Sequence, residues 1–238
     1  MVIGGFRLGE ADKIVTLVSE GRGLVRAVAK GVRKTKSRFG GRLEPLGHVS
    51  VLVYEGRSLD VISQAETISA YPRLRECSDR LATGLGLAEA ASRVAPAGEP
   101  APRLYRLLVA GLVGLEALRP AEPVPPLYLT AFLLRVMHIG GFAMAATACA
   151  ACGADGGLDR FGIAEGGALC DRCASPTAYR VRREALALIG RLSDGRLAET
   201  ASEAGRPPNG AEAAALVRRF VEYHLDIRLR APAVAAQL

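Results

Sequence analysis

The hydrophobic repeat of this chain changes at Tyr71-Pro72. Before that point apolar residues come in short runs rich in valine and leucine. After it they recur every three or four residues in long Ala/Leu-rich stretches. A strand period followed by a helix period excludes an all-α or all-β chain and predicts a mixed α+β protein. Between Lys13 and Thr67, "KIVTLVSE" and "GLVRAVAK" are split by Gly21 and Gly23, and "HVSVLVYE" and "SLDVISQAET" by Gly56 and Arg57. These are two hairpins joined by a basic, glycine-bearing connection. "VIGGFRL" adds a fifth strand, and five short antiparallel strands suit a small closed barrel over residues 1–71. A two-sheet sandwich is the alternative.

The helical pattern over residues 72–238 resolves into Arg73 to Val94, Pro102 to Leu118, Pro126 to Ile139, Arg182 to Leu192 and Ala211 to Leu229. Proline-rich "APAGEPAP" and "RPAEPVPP" separate them, because proline breaks a helix interior yet fits its first turn. Asn209-Gly210 reads as a cap for the last helix. With half of its 238 residues apolar, the chain can bury one large core or two modest ones. No stretch reaches the ~18 uncharged apolar residues that crossing a bilayer needs, and no secretion signal follows Met1. The expectation is a soluble cytoplasmic protein with no membrane partner.

Four of the five cysteines lie in "CAACGADGGLDRFGIAEGGALCDRC", from Cys149 to Cys173. The spacing C-x2-C-x17-C-x2-C of Cys149, Cys152, Cys170 and Cys173 is that of a four-thiolate zinc site, in an insertion at about 147–175. Gly153 lets the backbone curl around the first pair, and Glu165-Gly166-Gly167 turns a short hairpin that brings the pairs together. Four protein ligands leave no position for water, so the expected Zn2+, one per chain, is structural. Dithiol redox centres are the competing reading, but those open a helix within a βαβ unit, which is missing here. Cys77, alone on a helix, reads as a small core residue.

Charge is equally localised. Arg22, Arg26, Lys30, Arg33, Lys34, Lys36, Arg38 and Arg42 carry eight positive charges with no acid among them, against a net +7 for the whole chain. In "AKGVRKTKSRFGGR" the glycines allow close approach of the backbone to a sugar-phosphate chain that the side chains neutralise. A solvated loop is the plainer reading. Phe39 and Tyr54 are the nearest stacking platforms, and each is equally a candidate for the barrel core.

Nothing points to an enzyme. No G-x-x-x-x-G-K-[ST] is present, and His48, His138 and His224 stand apart with no metal or nucleophile motif.

The segment "GRGLVRAVAKGVRKTKSRFGGRLEPLGHVSVLVYEGRSLDVISQAET", preceded by "GEADKIVTLVSE", resembles the amino-terminal OB-fold domain of the bacterial RecO family of recombination mediators. "FLLRVMHIGGF", "FGIAEGGALCDRC" and "FVEYHLDIRL" follow in the family's order, so the resemblance covers almost the whole chain. The closing "RAPAVAAQL" is apolar where relatives carry further basic residues. The resemblance implies an OB-fold barrel and a helical domain with a zinc-binding insertion. It implies binding of single- and double-stranded DNA, strand annealing, and action with RecR to help RecA onto DNA coated by single-strand binding protein. Carried over to this sequence, DNA contact falls to Lys30, Arg33, Lys34, Lys36, Arg38 and Arg42, and zinc ligation to the four clustered cysteines. No catalytic residue is implied. A pocket for the acidic tail of single-strand binding protein would lie on the helical domain, with Arg218 and Arg219 as rim candidates or as ordinary solvated charges. The competing functions are a metal-dependent nucleic-acid-processing enzyme and a zinc-bearing RNA-binding adaptor.

Overall fold

The computed structural model describes residues 1–194 and 207–229. The chain divides into two compact units, 1–121 and 122–233, with the last residues, 234–238, outside the described part. The architecture is α+β, as the change of period requires. The first unit opens with five strands, β1 Val2–Leu8, β2 Asp12–Ser19, β3 Gly23–Ala29, β4 His48–Tyr54 and β5 Asp60–Ser69. They form one sheet in the order β1-β2-β3-β5-β4. The two expected hairpins, β2–β3 and β4–β5, are antiparallel, and β3 pairs with β5 in parallel, which joins the hairpins into one sheet. That order is OB-like and rules out the two-sheet sandwich.

Closure occurs at one end. Val2 N–H donates to the Gly47 carbonyl at 2.9 Å and Leu46 N–H to the Val2 carbonyl at 2.8 Å, linking β1 to the residues just before β4. A β1–β4 ladder is absent among the described residues. Val15 and Leu17 on β2 and Val25, Ala27 and Ala29 on β3 alternate inward and meet Val2, Val49 and Ile62. That period-2 face is the signal the sequence carried, while Ile14, Val18 and Val28 on the opposite face are buried as well.

The turn before β3 is sterically closed. Gly23 has φ +53°, and a Cβ there would stand 2.1 Å from the Pro96 carbonyl oxygen. Leu24 N–H donates to that same carbonyl at 2.7 Å. Gly23→Ala should therefore cost about 2–3 kcal/mol, from left-handed strain plus the clash. For a chain of this size that lowers the thermal midpoint by roughly 5–10 °C. An unchanged midpoint would contradict the packing of this turn.

Three helices complete the first unit: α1 Pro72–Glu76, α2 Ser78–Val94 and α3 Pro102–Ala117. The single helix expected from Arg73 to Val94 is broken at Cys77, whose backbone is extended at φ −121° and ψ 122°. Ser78 and Asp79, unfavourable inside a helix but suited to its first turn, start the second segment. Cys77 is thus half-buried in an inter-helix break and is no helical core residue. The Glu116 carboxylate on α3 accepts from Arg73 N–H and Leu74 N–H, satisfying the start of α1. Buried Arg80 on α2 donates to the carbonyls of Leu118 and Arg119 just past α3, where a cation suits the negative helix end. His48 Nε2 lies 2.7 Å from the Tyr105 hydroxyl, tying β4 to α3.

The second unit holds α4 Tyr128–Ile139, a three-stranded sheet of β6 Leu158–Gly162, β7 Gly167–Cys170 and β8 Tyr179–Arg180, then α5 Arg183–Asp194 and α6 Gly210–His224. The three helices pack pairwise around buried Phe132, Leu186, Ile189, Val217 and Phe220. Two expectations for α6 need correction. Asn209 holds the cap position but has φ 66° and no side-chain cap bond; its amide oxygen accepts instead from Arg182 Nη1 at 3.3 Å. The helix also stops at His224, short of Leu229. Asp226 turns left-handed at φ 48°, its N–H reaches the Tyr223 carbonyl, and Ile227 N–H reaches the Glu222 carbonyl. This is a Schellman ending built without glycine, which is why the sequence hid it. The segment after Leu229, which is the whole of "RAPAVAAQL", lies outside the described residues.

Candidate metal centre and nucleic-acid interface

The β6–β7 hairpin spans the gap between the two cysteine pairs, as its glycines predict. Ile163 to Gly166 make the turn, with Gly166 at φ +91°. The first pair sits on a knuckle closed by Gly153 N–H to the Cys149 carbonyl at 2.8 Å, with Gly153 at φ +75°. The second begins on the last residue of β7, where Cys173 N–H donates to the Cys170 carbonyl at 3.0 Å. Ala150 N–H bonds the Ala168 carbonyl, so the knuckle is stitched to the strand that carries Cys170. Gly167 admits Ala145 so closely that a Cβ would fall 2.1 Å from its carbonyl oxygen.

The result is convergence. The Sγ atoms of Cys149, Cys152, Cys170 and Cys173 all lie within 4.8 Å of one another, a donor set fit for a metal ion. Cys152 and Cys170 sulfurs are 3.8 Å apart. That equals the edge, about 3.8 Å, of a tetrahedron with ~2.3 Å metal–sulfur bonds, so the geometry suits a tetrahedral thiophilic cation. The thiols are electrostatically unequal. The Cys170 N–H, 3.5 Å from the Cys149 sulfur, leads the interactions that hold Cys149 down to about 6 against burial. Burial would raise Cys170, but the Cys173 N–H and neighbouring thiols outweigh it and lower its pKa. Cys173 is pushed up to about 12 by its contacts with the Cys152 and Cys170 sulfurs. Four thiolates repel one another at this range, and a divalent cation at their centre would compensate them.

In the first unit, the connection from Lys30 to Gly47 is not a free loop. Successive turns run from Lys34 N–H to Gly31, Ser37 to Lys34, Gly40 to Ser37, Arg42 to Phe39, Glu44 to Gly41 and Gly47 to Glu44. Val32, Phe39, Leu43 and Leu46 are buried. Phe39, at 1% exposure, belongs to the hydrophobic core of the sheet and offers no stacking face, whereas Tyr54 on β4 is 52% exposed. With the apolar residues turned inward, Lys30, Arg33, Lys34, Lys36, Arg38 and Arg42 are all exposed.

These six cations are not equivalent. Arg33 donates to the carbonyls of Gly9 and Glu10 in the β1–β2 turn, at 3.4 and 2.7 Å. Arg42 donates to Arg38 and Phe39 carbonyls within the loop. Lys30, Lys34, Lys36 and Arg38 form no ion pair among the described residues, and Arg38 lies over the Phe39 ring at 4.9 Å. Of the remaining cations in the basic stretch, Arg22 is paired with Asp60 at 3.0 Å and Arg26 is exposed on β3. Arg33→Lys keeps the charge but loses the fork. It should cost about 1 kcal/mol of stability while leaving the salt dependence of polyanion binding unchanged. A changed salt dependence at unchanged stability would make Arg33 a phosphate ligand instead.

Beside the loop is a cleft of about 590 Å³ lined by Gly40, Gly41, Arg42, Glu44, Thr67, Ser69 and Arg75, the Glu44 carboxylate being paired with Lys13 at 2.8 Å. Arg75 is a residue the sequence reading missed. Its Nε and Nη2 donate to the Ala70 and Pro45 carbonyls, at 3.0 and 2.6 Å, so its charge, like that of Arg42, meets no carboxylate among the described residues. Two guanidiniums outside any ion pair among the described residues, two hydroxyls and a glycine backbone suit an anion, since the cleft's one carboxylate, Glu44, is already paired with Lys13. Arg75 follows Pro72 on a helix, away from the basic stretch in sequence, so only the fold joins them.

An OB-like sheet with a cationic connection between β3 and β4, followed by a helical unit carrying a four-cysteine cluster, defines a class of modular α+β proteins. The particular family emerges from comparison. Residues 1–71 match the family model described as "Recombination protein O N terminal", and residues 75–233 match "Recombination protein O C terminal". The chain is similar to the "DNA repair protein RecO" of Nocardioides sp., 41% identical over 238 residues, covering 98% of this chain and 96% of the relative. It is also 41% identical over 232 residues to the protein of the same name from Streptomyces avermitilis, covering 94% of this chain and 92% of that one. The chain belongs to the RecO family of DNA repair and recombination proteins. No helix among the described residues is long and apolar enough to cross a membrane.

Proposed function

We propose that this protein is a non-enzymatic DNA-binding and strand-annealing recombination mediator. Residues 1–71 form the principal nucleic-acid-binding part, and residues 72–238 the helical part with its metal-bearing insertion. The observation that carries this reading is the exposure of Lys30, Lys34, Lys36 and Arg38 on one turn-ribbon, with no carboxylate partner among the described residues. Such a field attracts a polyanion and repels a second cation, and phosphates are what DNA presents without regard to sequence. Arg33 and Arg42 hold the ribbon's shape, and Arg42 with Arg75 continues the cationic track into the adjacent cleft. Two complementary strands repel each other through their phosphates. Neutralising that charge keeps them close while base pairing selects the match.

The metal in this account is one Zn2+ per chain held by Cys149, Cys152, Cys170 and Cys173, and its part is structural because the four sulfurs close the shell. RecR, single-strand binding protein and, indirectly, RecA are the partners that the family reading brings. The test is annealing of complementary strands coated with single-strand binding protein, with magnesium and without nucleotide. Faster annealing with intact strands supports the proposal. Strand cleavage would favour a metal-dependent nuclease, and preferential retention of RNA over DNA of equal length an RNA-binding adaptor.

A further inference from the structure

The second unit contains a cavity of its own, about 410 Å³, between the β6–β7 turn, the approach to β8, and α6. Its walls include Ile163, Glu165, Thr177, Tyr179, Arg219 and Tyr223. The volume lies in the ~300–1,000 Å³ range of small-ligand pockets. We infer that this cavity is a stacking site for an unpaired nucleobase of single-stranded DNA, separate from the basic loop. The inference rests on the DNA-binding reading above and adds a site in the other unit.

Three features carry it. First, the cavity exposes flat π surfaces: Tyr179 is 44% exposed and Tyr223 58%. Second, the Arg219 guanidinium already lies 5.0 Å over the Tyr179 ring, so one planar group is stacked there and its own outer face remains for another. Arg219 has no carboxylate partner among the described residues, unlike Arg218, which pairs with Glu222 at 3.0 Å. Third, exposed Glu165 at the hairpin tip has no hydrogen-bond partner among the described residues, so it is free to accept from the exocyclic amino group of a base. A cationic ligand would meet Arg219, and a carboxylate ligand would meet Glu165 and also Glu222, which lines the cavity while paired with Arg218. A neutral planar group with amino hydrogens uses both. In a duplex the base faces are stacked and covered, so the ligand is single-stranded.

The site is built on fixed elements. His224 Nε2 lies 3.0 Å from the Ile163 carbonyl and packs against Phe142 and Phe220, pinning α6 to the turn. Glu222 is held by Arg218 and by Leu229 N–H. Tyr179 pairs with Phe161 on β6, the middle strand of the sheet whose β7 carries Cys170. With one strand on the basic ribbon and another base held here, a single chain contacts two strands, as annealing requires.

The test uses the full-length protein and homopolymeric oligo(dC) and oligo(dT) of equal length, measured by fluorescence anisotropy. Tyr223→Ala, an exposed position, should weaken oligo(dC) binding about tenfold, the share of one stacked base, and Tyr223→Phe should restore it. Glu165→Ala should abolish a preference for oligo(dC) over oligo(dT), since thymine has no exocyclic amino group. Helical circular dichroism and metal content verify folding. Unchanged affinity of Tyr223→Ala for both homopolymers overturns the inference. If Lys34→Ala, Lys36→Ala and Arg38→Ala together still weaken binding in that event, the DNA-binding reading stands and only this site falls. Release of bound DNA from this cavity by Tyr223→Phe as well as Tyr223→Ala would assign the hydroxyl rather than the ring, and would equally overturn stacking. Preferential capture of an acidic peptide, with no response to oligo(dC), would make the cavity a protein-docking site.

Discussion

Removing the metal, by chelation or by Cys170→Ser, is expected to unfold the β6–β7 hairpin while α4, α5 and α6 stay folded. The hairpin core is small: Phe161, Ala168 and Leu169 are its fully buried apolar residues, and the cysteines cross-link both of its approaches. In small domains of this kind, structural zinc supplies on the order of 10 kcal/mol of apparent folding free energy at neutral pH. The helices instead share buried Phe132, Leu186, Ile189, Val217 and Phe220, a core that does not involve the sulfurs. Amide hydrogen exchange should therefore accelerate by several orders of magnitude over residues 149–173 and much less in the helices. Acidification should mimic chelation, because protons compete for the thiolates that the ion needs. Metal analysis should give about one zinc per chain before treatment. Exchange that remains slow in the hairpin after verified metal loss would show that its own packing suffices.

Replacing Lys34, Lys36 and Arg38 by alanine together is expected to weaken DNA binding about 100-fold at low salt. Each is exposed and outside any ion pair among the described residues, so its removal breaks no salt bridge, Arg38 giving up only its stacking on the Phe39 ring, and each lost phosphate contact is worth roughly 1 kcal/mol. The loss should be similar for unrelated sequences, because phosphate contacts carry no base code. Annealing should fall with binding, while stability and metal content stay at parental values. A triple variant with parental affinity would move the binding surface off the ribbon, with Arg42, Arg75 and the adjoining cleft as the first place to look.

The alternation of Val15, Leu17, Val25 and Ala27, and the glycines between runs, made the strands and hairpins legible in the sequence because both are short-range signals. The four-thiolate spacing was equally legible, since two tight knuckles and one hairpin leave few ways for the sulfurs not to meet. What stayed hidden was set by contacts distant in sequence or by unusual backbone. The separate short α1 is received at its start by Glu116, a residue distant in sequence, and the early end of α6 rests on Asp226 adopting a conformation usually given to glycine. The basic run was visible, but not its division between anchors and free cations. Arg33 and Arg42 look no different from Arg38 until the carbonyls of Gly9, Glu10 and Phe39 are placed beside them. Arg75 was invisible for the same reason.

The salt dependence of duplex binding tests most directly whether the exposed ribbon engages DNA through its phosphates. The logarithm of the association constant, plotted against the logarithm of salt concentration, should be linear for the parent protein. The slope should become shallower by about 2–3 when Lys34, Lys36 and Arg38 are replaced, since each duplex phosphate contact contributes ~0.9. Parallel lines for the two proteins, at whatever affinity, would contradict the account.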